Sequence, residues 1–134
     1  MSKHFTGFLF LGLLIGLMIG CTPGPDLIPI GKDGLEGSIS FCNLEDGELV
    51  VNVKNIGNAD AQASTTVVSF GNLGSQSQNT PPIPVGSSTT VNLKIPTGCF
   101  NPDCSFEITV DGANDVTETS TGEGNNTEQG HCIG

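Results

Sequence analysis

The chain contains no tryptophan, no tyrosine and no arginine, and its only fully basic residues are four lysines set against fourteen carboxylates. Each absence removes a class of function. Binding nucleic acid through its phosphates needs clustered Lys and Arg, which a formal net charge of −10 opposes. Sugar rings stack on exposed aromatic platforms, and phenylalanine is the only aromatic residue here. Phe41, Phe70 and Phe106 have the spacing of core residues, which leaves Phe100 as the one candidate platform. Histidine is confined to His4 and His131. A hydrolytic triad needs a nucleophile, a base and an orienting acid within mutual reach, and nothing in the sequence nominates the nucleophile. Paired carboxylates alone, in a chain this short of aromatics, make a poor glycosidase. No enzyme is expected.

What is present begins at the N-terminus. Lys3 and His4 precede an apolar run from Phe5 to Ile19, closed by Gly20 and Cys21. A basic start, a short apolar centre and a small residue at the cut define a secretory signal over residues 1–20. The run is short and glycine-rich for a membrane span, which takes about 20 apolar residues. Leu17-Met18-Ile19-Gly20-Cys21 resembles a lipobox, so Cys21 is expected to be acylated and to anchor the protein. In a Gram-negative cell Thr22, rather than an aspartate, after the cysteine resembles the pattern sent on to the outer membrane, and the expected location is the cell envelope, at the outer membrane or cell surface. Without its first 20 residues the chain keeps 114, with Lys32, Lys54 and Lys94 against fourteen carboxylates and a net charge of −11. Such a domain would not lie flat on anionic lipid. The lipid on Cys21 would hold it there instead.

Four further cysteines, Cys42, Cys99, Cys104 and Cys132, are an even number in an exported chain, which favours disulfides. Of the three possible pairings, Cys99–Cys104 closes a tight loop containing Pro102, and Cys42–Cys132 ties the start of the domain to its end. A zinc site using these thiols and His131 is the competing reading, disfavoured by an oxidising compartment and by loose ligand spacing.

Residues 21–36 read as an acylated N-terminus, a tether and a first edge strand at Leu27–Ile30, where Pro29 suits an edge. Over residues 37–134 short alternating segments recur between turn residues, the signature of an all-β sandwich or barrel. Ile39 and Phe41 alternate with Ser38 and Ser40, and Asp46-Gly47 marks a hairpin turn. Leu49, Val51 and Val53 form one face of the next strand; Thr66, Val68 and Phe70 follow, then Val91, Leu93 and Ile95, then Phe106, Ile108 and Val110. Asn72–Ser88 reads as a long irregular crossover and Gly130–Ile133 as a weak last strand after an extended Asn126–Gln129. About seven strands fit an immunoglobulin-like β-sandwich with an aliphatic core.

Three stretches carry a family resemblance. They are Pro25-Asp26-Leu27, the strand Leu49-Val50-Val51-Asn52-Val53-Lys54-Asn55-Ile56-Gly57-Asn58-Ala59, and the tail Val110-Asp111 … Asn114-Asp115-Val116-Thr117-Glu118 … Glu123-Gly124-Asn125-Asn126. In that order they resemble CARDB, the cell adhesion related domain of bacteria, over about Pro25 to Asn126. The resemblance implies an immunoglobulin-like sandwich used as a surface module, and it implies no particular ligand. Departures are the cysteines and a longer insertion between Glu118 and Glu123.

The tail is the one polar constellation dense enough to suggest a site. Asp111, Asn114, Asp115, Glu118, Glu123, Asn125 and Asn126 could offer oxygens to Ca²⁺, with Asp111, Asn114, Asp115 and Glu118 the nominated set, although the spacing is not that of an EF-hand. The alternative is that these residues stabilise turns through their own backbone. The expected function is a membrane-anchored, non-catalytic interaction or adhesion module whose partner is an envelope or extracellular protein or a glycan. Alternatives are a periplasmic inhibitor or chaperone-like lipoprotein using an edge strand or the Asn72–Ser88 loop, and a calcium-stabilised binding domain.

Overall fold

The computed structural model describes residues 23–118 and 122–134, so the expected lipidation at Cys21 lies outside the described residues. Within them the fold is all-β, with no α-helix. β1 (Leu27–Ile30), β2 (Leu44–Glu45), β3 (Glu48–Asn55), β4 (Ser64–Ser69), β5 (Ser75–Thr80), β6 (Ser88–Lys94), β7 (Cys104–Thr109) and β8 (Thr127–Cys132) form two antiparallel sheets. In the first, β3 is central. β6 pairs along one edge of it from Glu48↔Lys94 to Lys54↔Ser88, while β1 and β2 share the other edge end to end. The second sheet runs β5-β4-β7-β8. Eight strands therefore fill three positions in one sheet and four in the other, the division of an immunoglobulin-like sandwich.

The alternation in the sequence explains the layers. Side chains of a strand point alternately to opposite faces. Leu49, Val51, Val53, Val91 and Leu93 of the first sheet face Val68, Phe70, Phe106, Ile108 and Val110 from the second, all of them buried. Phe70 and Phe106 meet with ring centroids 5.9 Å apart, tilted by 51°. Gly130 lies opposite Phe106 in the ladder, and any side chain there would collide with its ring. The Asp46-Gly47 turn takes positive φ at both residues (51° and 81°), the backbone that a two-residue hairpin between right-twisted strands requires. Disulfides join Cys42 to Cys132 and Cys99 to Cys104, with Cα atoms 5.1 and 4.8 Å apart.

Two segments depart from the sequence reading. Gly37–Phe41, expected as a strand, is a 3₁₀ turn packed against β8. Gly37 turns the chain at φ 62°, the Ser40 hydroxyl donates to the Gly37 carbonyl at 2.7 Å, and the Lys32 N–H donates to the Ser40 carbonyl. Serine competing locally for backbone groups favours such a turn over a ladder. The expected irregular crossover contains β5, paired with β4 in full register from Ser64↔Thr80 to Ser69↔Ser75. Its sequence, SQSQNT, shows no hydrophobic alternation because five of its six side chains stay at least partly exposed on this edge strand. The last strand also starts earlier than expected, at Thr127.

Candidate functional site

One end of the sandwich gathers the start of β1, the loop after β3 and the connection between β7 and β8. Asn55 organises it. The residue continues the inward parity of Leu49, Val51 and Val53, so its amide is driven into the end of the core, where it is 0% exposed. A buried amide must find partners. Oδ1 accepts from the Asp26 N–H (3.2 Å) and the Gly57 N–H (3.0 Å), and Nδ2 donates to the carbonyls of Ala59 (2.8 Å) and Ile83 (3.0 Å). The Ile56 and Asn58 N–H groups donate to the carbonyls of Asp26 and Gly24. Gly57 is forced by this approach, because a Cβ there would lie 2.6 Å from the Asp26 nitrogen.

The tail closes over the same end. Glu118, 8% exposed, accepts the Leu27 N–H on Oε1 at 2.8 Å and donates its own N–H to Glu123 Oε1 at 3.3 Å. Asn125 Nδ2 donates to Asp26 Oδ1 at 3.1 Å, and the Val110 N–H donates to the Asn126 carbonyl at 2.9 Å. Burial pushes the Glu118 carboxyl above its usual range; the Leu27 N–H and the Asn126 amide oppose the shift, and the negative charges of Glu123 and Asp26 add to it.

Asp111 does something different. At φ 49° it starts a turn, and its two carboxylate oxygens accept the N–H groups of Asp115 (2.8 Å) and Val116 (3.0 Å). Its carboxyl is also raised, first by burial, against those two N–H bonds. Asn114, at φ 55°, and Asp115 stand exposed on that turn, where Asp115 Oδ2 accepts from the Thr65 hydroxyl at 3.2 Å. The four residues read from the sequence as a possible calcium set are thus divided: Asp111, Asn114 and Asp115 build one turn, while Glu118 faces β1. Among the described residues, no three His, Cys, Asp or Glu side chains form a metal-holding group. Asp26, Asn55 and Gly57 were part of the family pattern in the sequence, but nothing in their hydropathy marks them as one cluster.

A second constellation lies at the far end. The Ser105 hydroxyl bonds His131 Nδ1 at 2.8 Å, and Asp103 Oδ2 stands 3.8 Å from His131 Nε2. Ser105 and His131 are cross-strand partners of β7 and β8, so sheet register alone brings them together. The Asp103 separation is beyond hydrogen-bonding distance, and the set does not make a triad.

The sheets and their interlocked loops define the class as an immunoglobulin-like sandwich module closed at one end by a polar clasp. The chain belongs to the CARDB family, whose model matches residues 24–130. Its three signature stretches are the three parts of the clasp. Two solved structures are similar to it. One is a domain of a Methanosarcina acetivorans protein that carries the name of a cell-surface protein (20% identity, 81% of this chain and 90% of that one, TM-score 0.61). The other is the CARDB domain of a Pyrococcus furiosus protein, solved in complex with di-metal ions (20% identity, 96% and 98% covered, TM-score 0.57). No curated protein matches the chain.

Proposed function

We propose that the protein is a cell-envelope lipoprotein, held to a membrane through an acylated Cys21, whose sandwich is a non-catalytic interaction or adhesion module. Family membership and the cell-surface name of the Methanosarcina relative support the module. The observation that carries the reading is the distribution of exposed apolar side chains. The clasp end is where the chain enters β1. At the opposite end, Leu35, Ile39, Leu44, Leu73, Phe100 and Ile133 are each at least 39% exposed, against Ile56 and Val85 at the clasp end. These sit on the loop after β1, the 3₁₀ turns at Gly37–Phe41 and Gly71–Leu73, the hairpin, the Cys99–Cys104 loop and the end of β8, and both disulfides brace that end. Exposed apolar side chains concentrated at one end mark a contact surface. Anchored at Cys21, the domain would present this end away from the membrane.

A photo-crosslinking side chain placed at Phe100 or Leu44 in cells tests it against one placed at Ile56, near the clasp. The proposal expects a discrete envelope or extracellular partner from the first two positions and none from the third. Equal yields from all three would contradict it.

A second reading, a calcium-stabilised binding domain, is favoured by the di-metal complex of the Pyrococcus relative.

A further inference from the structure

Apart from Cys21 the chain has four cysteines, and the fold brings all of them to one place. Cys99, Cys104 and Cys132 belong to the hydrophobic core, and Cys42 packs against it. The disulfides join Cys42 to Cys132 and Cys99 to Cys104, yet the residue directly opposite Cys104 in the β7–β8 ladder is Cys132. Cys104 shares the inward parity of Phe106 and Ile108, and both it and Cys132 are 1% exposed. Opposite residues of an antiparallel pair have Cα atoms about 4.5–5.5 Å apart. A disulfide spans about 4.4–6.8 Å between Cα atoms, so the sheet register is already set for a Cys104–Cys132 bond. One sulfur of each disulfide thus has a second partner in the other.

Disulfides exchange when a thiolate attacks one of their sulfurs, and the attack needs access. Of the four cysteines Cys42 is the one that is not buried, which makes it the point of entry. We propose that the two disulfides form a thiol-exchange switch, in which a dithiol that opens Cys42–Cys132 moves the Cys104 bond from Cys99 to Cys132. A thiolate of the dithiol attacks the Cys42 sulfur and releases the Cys132 thiolate. That thiolate attacks the Cys104 sulfur across the ladder, forming Cys104–Cys132 and releasing Cys99. The second thiol of the dithiol then attacks its partner sulfur in the mixed disulfide and frees Cys42. In sum the dithiol gives up two electrons and two protons and leaves as a disulfide; the protein keeps one disulfide and gains thiols at Cys42 and Cys99. The chain-entropy account favours the shift, because Cys104–Cys132 closes a longer stretch than Cys99–Cys104, whose separation is 5. With Cys42 released, the Gly37–Phe41 turn loses its covalent tie to β8, and the loop carrying Phe100 opens. β7 and β8 stay clipped together. The exposed apolar end is loosened by reductant while the sandwich persists, whatever anchors the chain and whatever binds it.

The test is a stepwise titration of the full chain in detergent with dithiothreitol, each step trapped by alkylation and mapped as non-reduced peptides. Cleavage at acidic residues, Asp103, Glu107 and Glu128 among them, places each of the four cysteines in its own peptide. The dominant species with two thiols among the four should carry alkyl groups on Cys42 and Cys99 and a Cys104–Cys132 link. Alkylated Cys42 and Cys132 with Cys99–Cys104 intact would overturn the exchange, as would alkylated Cys99 and Cys104 with Cys42–Cys132 intact. Release of all four thiols together, with no two-thiol species, would overturn it as well. In the two-thiol species the amides of Gly37–Phe41 should exchange with deuterium faster than in the oxidised protein, while those of β7 and β8 stay protected. Unchanged exchange at Gly37–Phe41 would contradict the loosening. Cys42→Ser with Cys99→Ser should, on export, yield a protein with a Cys104–Cys132 disulfide, and two free thiols in that folded variant would contradict the register argument. The wild-type titration decides the exchange even if the variant fails to fold.

Discussion

At the scale of single residues, Asn55 is the most consequential polar side chain. It makes four hydrogen bonds at zero exposure, linking β1, the loop after β3 and the segment at Ile83. Removing its amide strands two backbone N–H groups and the Ala59 carbonyl, while the Ile83 carbonyl keeps the Ala61 N–H. Each such buried orphan costs about 1–3 kcal/mol, partly recovered by water. Asn55→Ala should therefore lower the urea-unfolding free energy by about 3 kcal/mol or more, whereas a loss under about 1 kcal/mol would show that the clasp is peripheral. Hydropathy could not reveal this role, since Asn55 reads as the polar end of a strand. Only its parity with Leu49, Val51 and Val53 hints that it points inward.

Glu118 carries a second prediction at the same scale. Its folded pKa lies above the ordinary value of 4.5, because burial and the facing charges of Asp26 and Glu123 disfavour the ionised form. The stability it lends is fully present below the unfolded pKa and is lost as pH rises through the folded one. In chelator, the wild-type urea midpoint should fall as pH is raised from about 4 towards neutrality. Glu118→Gln, which cannot ionise, should flatten that fall; Asp111, raised in the same direction by burial, leaves a residual slope. A wild-type midpoint that rises over this range would contradict the assignment.

At the scale of elements, β6 and β7 were legible because each has one buried and one exposed face, which writes a period of two into the sequence, and β3 because Leu49, Val51 and Val53 alternate although its outer face is itself half-buried. β5 was not. An edge strand with little burial needs only backbone pairing, so SQSQNT carries no apolar period and reads as loop. What anchors it is a buried hydroxyl pair, Thr66 Oγ1 and Thr80 Oγ1, 2.7 Å apart. Thr80→Val alone leaves the Thr66 hydroxyl unpaired and should cost about 1–3 kcal/mol. Thr66→Val together with Thr80→Val should recover much of that loss, because neither polar group then remains. A double variant that loses the sum of the single losses would remove the hydroxyl pair as the clip between β4 and β5. The 3₁₀ turn at Gly37–Phe41 escaped for a related reason: its Ser and Ile alternate as in a strand, but a positive-φ glycine and local serine bonds decide its conformation.

For the whole molecule, the cysteines and the N-terminus matter most. Cys42–Cys132 closes a separation of 90 residues and Cys99–Cys104 one of 5. On the chain-entropy account the long link stabilises by about 4–5 kcal/mol and the short one by about 2 kcal/mol. Replacing Cys42 and Cys132 by serine should thus lower stability more than replacing Cys99 and Cys104, and it should loosen the apolar end, where the 3₁₀ turn packs on β8. The fold class and the family pattern were readable because spacing and order survive in a linear sequence. The clasp was not, because residues from Asp26 to Asn126 must be brought together before their shared burial has any meaning.

Display of this sandwich from a membrane by its own N-terminus is decided by mass spectrometry of the native N-terminal peptide from membrane fractions. The expected chain begins at Cys21, with diacylglycerol on its sulfur and no peptide from residues 1–20. An unmodified Cys21, or a chain beginning at any other residue, would contradict membrane display.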